Sequence, residues 1–280
     1  MSDATKGRGV VVGRHLFAYG LILLAIAGWW LTSLALSPRI FPPLGQVALT
    51  LYQLALSPEF WLNVCITFGR IVLAILLATI IGGVIGLMPR YLPATTGIVD
   101  GVLIPLFSSF PSLAWAILGT VWFGVTATAV VMVQLLIVLP FILVNVAEGA
   151  KAIGTDEVEM GRSFSRSRAA VFWRIELPLL SPFLLSAVTI SYGVCWKISL
   201  IAELFGARSG VGFMMQSAQD LGQVDRIVAL SLAVVFFVVV GQKLILQPLS
   251  AWLLKGENSG PRGGGASSTI AVSRWTRRSA

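Results

Sequence analysis

Apolar residues in this chain gather into runs of about 20, separated by short polar intervals, with no alternation of apolar and polar positions inside the runs. A helix of that length crosses the roughly 30 Å hydrocarbon layer of a bilayer, whereas a membrane barrel would need strands of period two. The pattern predicts an all-α integral membrane protein with six transmembrane helices. They cover about Leu16–Leu36, Trp61–Met88, Ile98–Phe123, Thr126–Val146, Leu179–Ala202 and Ile227–Pro248. Between the first two, Pro38, Pro42 and Pro43 stop the helix, and a short amphipathic stretch follows to about Pro58. The third run is broken around SSFPS, with Pro105 and Pro111 inside it. Broken backbone at membrane depth is tolerated where protein or a watery cavity satisfies the freed groups, so this span is expected to face the inside of the assembly. After the fifth run, ELFGARSGVGFMMQSAQDLGQVDR is too polar to cross and apolar enough to fold back onto the membrane face.

Composition agrees with a membrane protein: 56% of residues are hydrophobic and 11% charged, against about a quarter charged in soluble domains, and the mean hydropathy is +0.88. In a soluble protein the net charge of +8 would suggest nucleic acid; here it follows from basic residues left in cytoplasmic loops, and no nucleic-acid partner is expected. With the N-terminus inside, 14 Lys and Arg fall in inner loops, against Arg39, Arg208 and Arg226 outside. The domain plan is then a cytoplasmic segment over 1–15, a transmembrane domain over 16–254 and a disordered cytoplasmic tail over 255–280. The first run is too long for a signal peptide and lacks a small-residue cleavage site. Cys65 and Cys195 lie in apolar runs without metal or disulfide spacing and are read as core packing. No cofactor or metal is expected, and His15 has no catalytic partner; nothing points to an enzyme.

The longest charged interval, over 155–178, reads TDEVEMGRSFSRSRAAVFWRIELP and falls on the cytoplasmic side of the charge plan. Thr155 is placed to cap a helix, with Asp156, Glu157 and Glu159 near its positive end, giving a short helix over about 156–163. Ser167 is a second cap candidate, opening a stretch in which Val171, Phe172 and Ile175 recur at helical spacing. A basic loop resting on anionic lipid is the plainer reading. Phe172, Trp173 and Ile175 favour protein docking, because a solvated loop has no use for them.

This segment resembles the EAA loop of ABC importer permeases, whose pattern is Glu-Ala-Ala, a Gly six residues after the Glu, and a closing Ile-x-Leu-Pro. Glu159, Ile175, Leu177 and Pro178 take those positions, while Met160 and Gly161 replace the alanines and Ser165 stands where the Gly is expected. A left-handed turn there costs an L-residue roughly 1–2 kcal/mol. The stretches TFGRIVLAILLATIIGGVIGL, PSLAWAILGTVWFG and IAELFGARSGVGFMMQSA are similar to nitrate, sulfonate and taurine permeases, sometimes grouped with thiamine-precursor transporters, and the resemblance covers roughly 45–255. It implies a permease subunit for a small anionic or polar solute. That subunit would pair with a second permease chain, identical or related, and dock two cytoplasmic ATP-binding subunits. It would receive its solute from a periplasmic or lipid-anchored binding protein. Glu159, Gly161, Ser165, Ser167, Arg168, Phe172, Ile175, Leu177 and Pro178 would couple to the ATPase. The chain has no GxxxxGK[ST] phosphate loop, so ATP is hydrolysed elsewhere.

Arg70, Lys197 and Glu203 fall within or beside spans, where an ionisable group costs a few kcal/mol unless it faces protein or water. Arg70 is expected to pair with a carboxylate or a helix-end carbonyl near the outer face. For Lys197 two readings stand, contact with an anionic solute in the pathway or a pair with Glu203, and Glu203 itself suits tying down the fold-back. Trp115, Trp122 and Trp196 are expected more as interfacial anchors than as pathway lining. The competing function is a self-contained secondary transporter or ion channel using Lys197 and Arg70, for which an inverted repeat would speak and none is found.

Overall fold

The computed structural model describes residues 20–246 and 248, apart from 22, 25, 38, 39, 165 and 166. The expected N-terminal segment with His15, the tail over 255–280 and Ser165 lie outside the described residues. The described elements are helices: α1 (Ile26–Ala35), α2 (Leu44–Leu56), α3 (Pro58–Tyr91), α4 (Pro93–Ser109), α5 (Ser112–Phe123), α6 (Ala127–Ala152), α7 (Thr155–Phe164), α8 (Arg168–Gly206), α9 (Val211–Asp220) and α10 (Val224–Leu244). Four of them, α3, α6, α8 and α10, are long and apolar enough to cross a membrane. A fifth crossing results if α4 and α5, bent by 85° at their junction, count as one span. The first expected span is described only in part, by α1.

The bend sits at the SSFPS motif. Phe110 and Pro111 are extended, with ψ of 129° and 132°, and the Trp115 amide donates to the Pro111 carbonyl to restart the helix. The break lines a cavity of about 550 Å³ together with Asn145 on α6 and Val194 and Ile198 on α8. Irregular backbone thus adjoins a cavity, as its unpaired polar groups require.

The central element is α6, packed between α3, α5 and α8. Bilayer lipid is as apolar as a Leu side chain, so helices gain little by hiding from it and associate through close packing. On α3, Ala74, Ala78, Gly82 and Gly86 recur every fourth residue and are buried. A Cβ added at Gly82 would lie 2.9 Å from Ile142, and one at Gly86 would lie 3.0 Å from Val146. Across α6, Gly149 makes the same allowance for Phe183 of α8, and Gly119 of α5 for Val133.

Two expectations about packing are corrected. Cys195 is buried but Cys65 is exposed, on the strip of α3 that also carries Trp61, Leu62 and Phe68. Trp196 is no interfacial anchor: it is 1% exposed and stacks on Phe237 of α10 at 5.7 Å. Trp122 is exposed, and Trp115 is half-buried against Phe110 at 4.3 Å. Gly82→Val should lower the thermal midpoint of the detergent-purified protein, since overpacking costs about 1–3 kcal/mol; an unchanged midpoint would refute the close α3–α6 seam.

Candidate functional site

Asn63, Thr67 and Arg70 lie on one face of α3, four and three residues apart, and all three meet the hairpin between α8 and α9. Glu203, fully enclosed near the end of α8, accepts from Arg70 Nη1 at 2.8 Å, from the Thr67 hydroxyl at 2.9 Å and from the Gly212 amide at 2.9 Å. Arg70 also donates to the Ser209 carbonyl and hydroxyl, each at 2.8 Å. The Gly210 amide donates to Asn63 Oδ1 at 2.6 Å and the Val211 amide to Thr67 Oγ1 at 2.9 Å. The first amides of α9 have no partner within their own helix, so α3 and Glu203 cap it from outside. Glycine is required at the turn. Gly210 has φ of +108°, and a Cβ there would lie 2.4 Å from the Glu203 carboxylate.

A second polar clamp closes the opposite end of α3. Arg90 donates to the Ala150 carbonyl and, at 3.2 Å, to the Ile153 carbonyl, capping the C-terminus of α6. Its Nε lies 3.4 Å from Glu176 of α8, and the Tyr91 hydroxyl donates to the same carboxylate. Glu176 is buried inside a wider, π-type turn over Phe172–Glu176. Lys151 meets Asp100 at 3.1 Å, tying α6 to α4.

The segment between α6 and α8 rests on this second clamp. Ser167 caps α8, its hydroxyl accepting from the Ala170 amide at 3.4 Å. Val158 of α7 and Val171 of α8 are buried, and Gly161 lies against Ile175 so closely that a Cβ would fall 2.4 Å from Cδ1. The glycine that replaces an expected alanine is therefore dictated by Ile175. Glu159, Met160, Arg162, Arg168, Trp173, Arg174 and Pro178 are exposed, while Phe172, Ile175 and Leu177 are half-buried; Phe172 meets Trp173 edge-on at 5.7 Å.

Among the expected pathway residues, Arg70 and Glu203 come together, and Lys197 does not join them: it is exposed on α8 and forms no ion pair with any described residue. Trp115 lies beside the α4–α5 cavity, its Nε1 buried without a hydrogen-bond partner among the described residues. Residues missed in the sequence are Glu176 and its partners Arg90 and Tyr91. The available signal was a carboxylate, in RIELP, entering an apolar run.

The family described as the binding-protein-dependent transport system inner membrane component matches residues 74–245. The chain is 28% identical to the taurine transport system permease protein of Escherichia coli, over 90% of this chain and 94% of that protein. It is 27% identical to the nitrate import permease protein of Synechococcus elongatus, over 83% and 85% respectively. With the bicarbonate transport system permease protein of the same species it shares 28% identity over 62% of each chain.

Removing one member of a buried ion pair strands the other, at a cost of about 3–5 kcal/mol. Arg70→Met should accordingly destabilise the purified protein strongly, and adding Glu203→Gln should restore part of the loss. Additive losses in the double variant, measured by thermal unfolding, would refute the coupling.

Proposed function

The chain belongs to the family of binding-protein-dependent transport system inner membrane components, and from that membership we propose how its parts divide the work of import. It is a permease subunit of an ABC importer, embedded in the membrane through several apolar helices. In the proposed arrangement it forms half of a translocation pathway whose other half is a second permease chain, identical or related. Two cytoplasmic ATP-binding subunits serve the pair, one of them docking on the segment 155–178, and a periplasmic or lipid-anchored binding protein delivers the solute. The relatives named for taurine, nitrate and bicarbonate suggest a small, polar, anionic cargo.

The observation that carries this reading is the construction of α7 and the start of α8. Trp173 is 67% and Met160 58% exposed, amid the arginines 162, 168 and 174. A solvated loop gains nothing from such side chains, whereas aromatic and Arg anchors suit a protein interface. The pair is packed on itself through Val158, Gly161, Val171 and Ile175 and fixed to the bundle through Glu176. Glu159, Arg168 and Phe172 flank the proposed docking surface, and Leu177 and Pro178 lead into the span.

In the proposed topology six spans place both termini, and this segment, in the cytoplasm. Described helices account for five of the spans when α4 and α5 count as one, and the excess of Lys and Arg in the assigned inner loops sets the orientation.

Glu159→Lys and Trp173→Ala should each reduce co-purification of the ATP-binding subunit with tagged permease by about tenfold or more, the loss expected of an interface hot spot. An intact complex with normal uptake in both variants would overturn the docking role. In a Cys65→Ser background, Arg208→Cys should react with an impermeant thiol reagent in intact cells and Arg162→Cys only after permeabilisation; the reverse pattern would invert the topology.

A further inference from the structure

The exposed strips of the spanning helices differ in chemistry. On α3, the exposed positions from Val72 to Met88 are all apolar, including Leu76, Ile80 and Val84. On α10, those between 227 and 240 are Leu232, Val235, Phe236 and Val239. Both strips suit lipid. On α8, the exposed positions between 179 and 204 are only Ser186, Ile190 and Lys197. At about 100° per residue these three fall within about 40° of one line. Gly193 lies on the same line, and the Gln242 amide of α10 packs against it, 3.3 Å from where a Cβ would stand. Along this narrow face a hydroxyl, the Ile190 side chain, a bare backbone with an amide beside it, and an ammonium with no ion pair among the described residues thus follow one another.

Such a face is costly against hydrocarbon. A Lys at span depth needs a carboxylate, backbone carbonyls or water around it, and the nearby carboxylate, Glu203, is fully committed to Arg70, Thr67 and Gly212. We propose that the Ser186–Lys197 strip of α8 is wetted and forms a wall of the translocation pathway, with Lys197 as its selectivity residue for a compact oxoanion and the Gln242 amide as a neutral donor one turn away. A partly desolvated ammonium attracts a small anion far more strongly than it would in water, and three donors on a flexible stem accommodate different oxyanion shapes. Glutamine adds a hydrogen bond without adding charge, so the anion is held loosely enough to leave. This rests on the importer reading above and specifies where that importer recognises its cargo.

The test uses the complete importer, permease with ATP-binding subunit and solute receptor, in proteoliposomes loaded with ATP, with labelled taurine, nitrate and bicarbonate as probes. Lys197→Met should lower uptake of the transported probe by about tenfold or more, the loss expected when a charged hydrogen bond is removed. Lys197→Arg should retain most of it. In a Cys65→Ser background, Lys197→Cys should be slow until 2-aminoethyl methanethiosulfonate restores the ammonium, and the transported anion should protect that thiol from reaction. Unchanged uptake by Lys197→Met overturns the proposal. So does a thiol at 197 that reacts with the hydrophilic reagent no faster than one introduced by Ile80→Cys on the apolar strip of α3, because the face then lies against lipid. Failure of the importer reading looks different: wild-type proteoliposomes take up none of the probes, while reactivity at 197 still decides whether the face is wet.

Discussion

Everything at one end of this bundle depends on burying the Glu203 carboxylate. An ion enclosed among apolar helices loses its hydration, and attraction to a single partner rarely offsets that loss unless the remaining lone pairs are also filled. Arg70 supplies the opposite charge, while Thr67 and Gly212 supply neutral donors. This demand sets the register of α3, because Asn63, Thr67 and Arg70 must share a face. It also sets the backbone of the return hairpin, since only glycine leaves room at 210 and 212, where a Cβ would lie 2.4 Å from the carboxylate and 2.7 Å from the Leu200 carbonyl. The fold-back helix α9 then starts where its free amides can be capped.

The two polar clamps bracket the apolar part of the protein. Arg70 and Arg90 are 20 residues apart on α3, about 30 Å at 1.5 Å per residue, which is the thickness of a bilayer's hydrocarbon. Each arginine ties α3 to a carboxylate of α8, Glu203 at one end and Glu176 at the other. Between them no polar contact joins α3 to α6 among the described residues, and the seam relies on Gly82 against Ile142 and Gly86 against Val146. Directional bonds thus fix the ends and shape complementarity fixes the middle.

That division explains what could be read from the residues alone. Run length located the long helices, SSFPS located the break, and the Ser167 cap followed from local chemistry. An arginine inside a span implied a carboxylate or a carbonyl partner, and Arg70 meets both, in Glu203 and the Ser209 carbonyl. Sidedness was much less legible. Cys65 and Trp196 are both apolar in context, yet one faces outward and the other stacks in the core, because in a bilayer the outside is as apolar as the inside. Glu176 was hidden for a different reason: it occupies the unconstrained position of Ile-x-Leu-Pro, so the resemblance drew attention to its neighbours. Gly161 shows the converse, a departure from the family pattern whose cause, Ile175, appears only once α7 and α8 are folded together.

The continuity of α8 gives these separate features a common mechanical basis. From its cap at Ser167 to Gly206 it runs for 39 residues without a break, carrying the end of the proposed docking segment, the Lys197 strip and the Glu203 clamp on one rod. A helix transmits displacement along its axis well, and packed interfaces shift as units rather than deforming gradually. Under the proposed coupling role, a push delivered near Trp173 therefore reaches the Lys197 strip as movement of the whole rod relative to α10. The point where the rod can yield is the wider turn over Phe172–Glu176, a form of winding that recurs at functional sites. Glu176 sits inside that turn, held by Arg90 and Tyr91, so under the proposed coupling role this clamp would govern how much of a docked ATPase's motion enters the membrane.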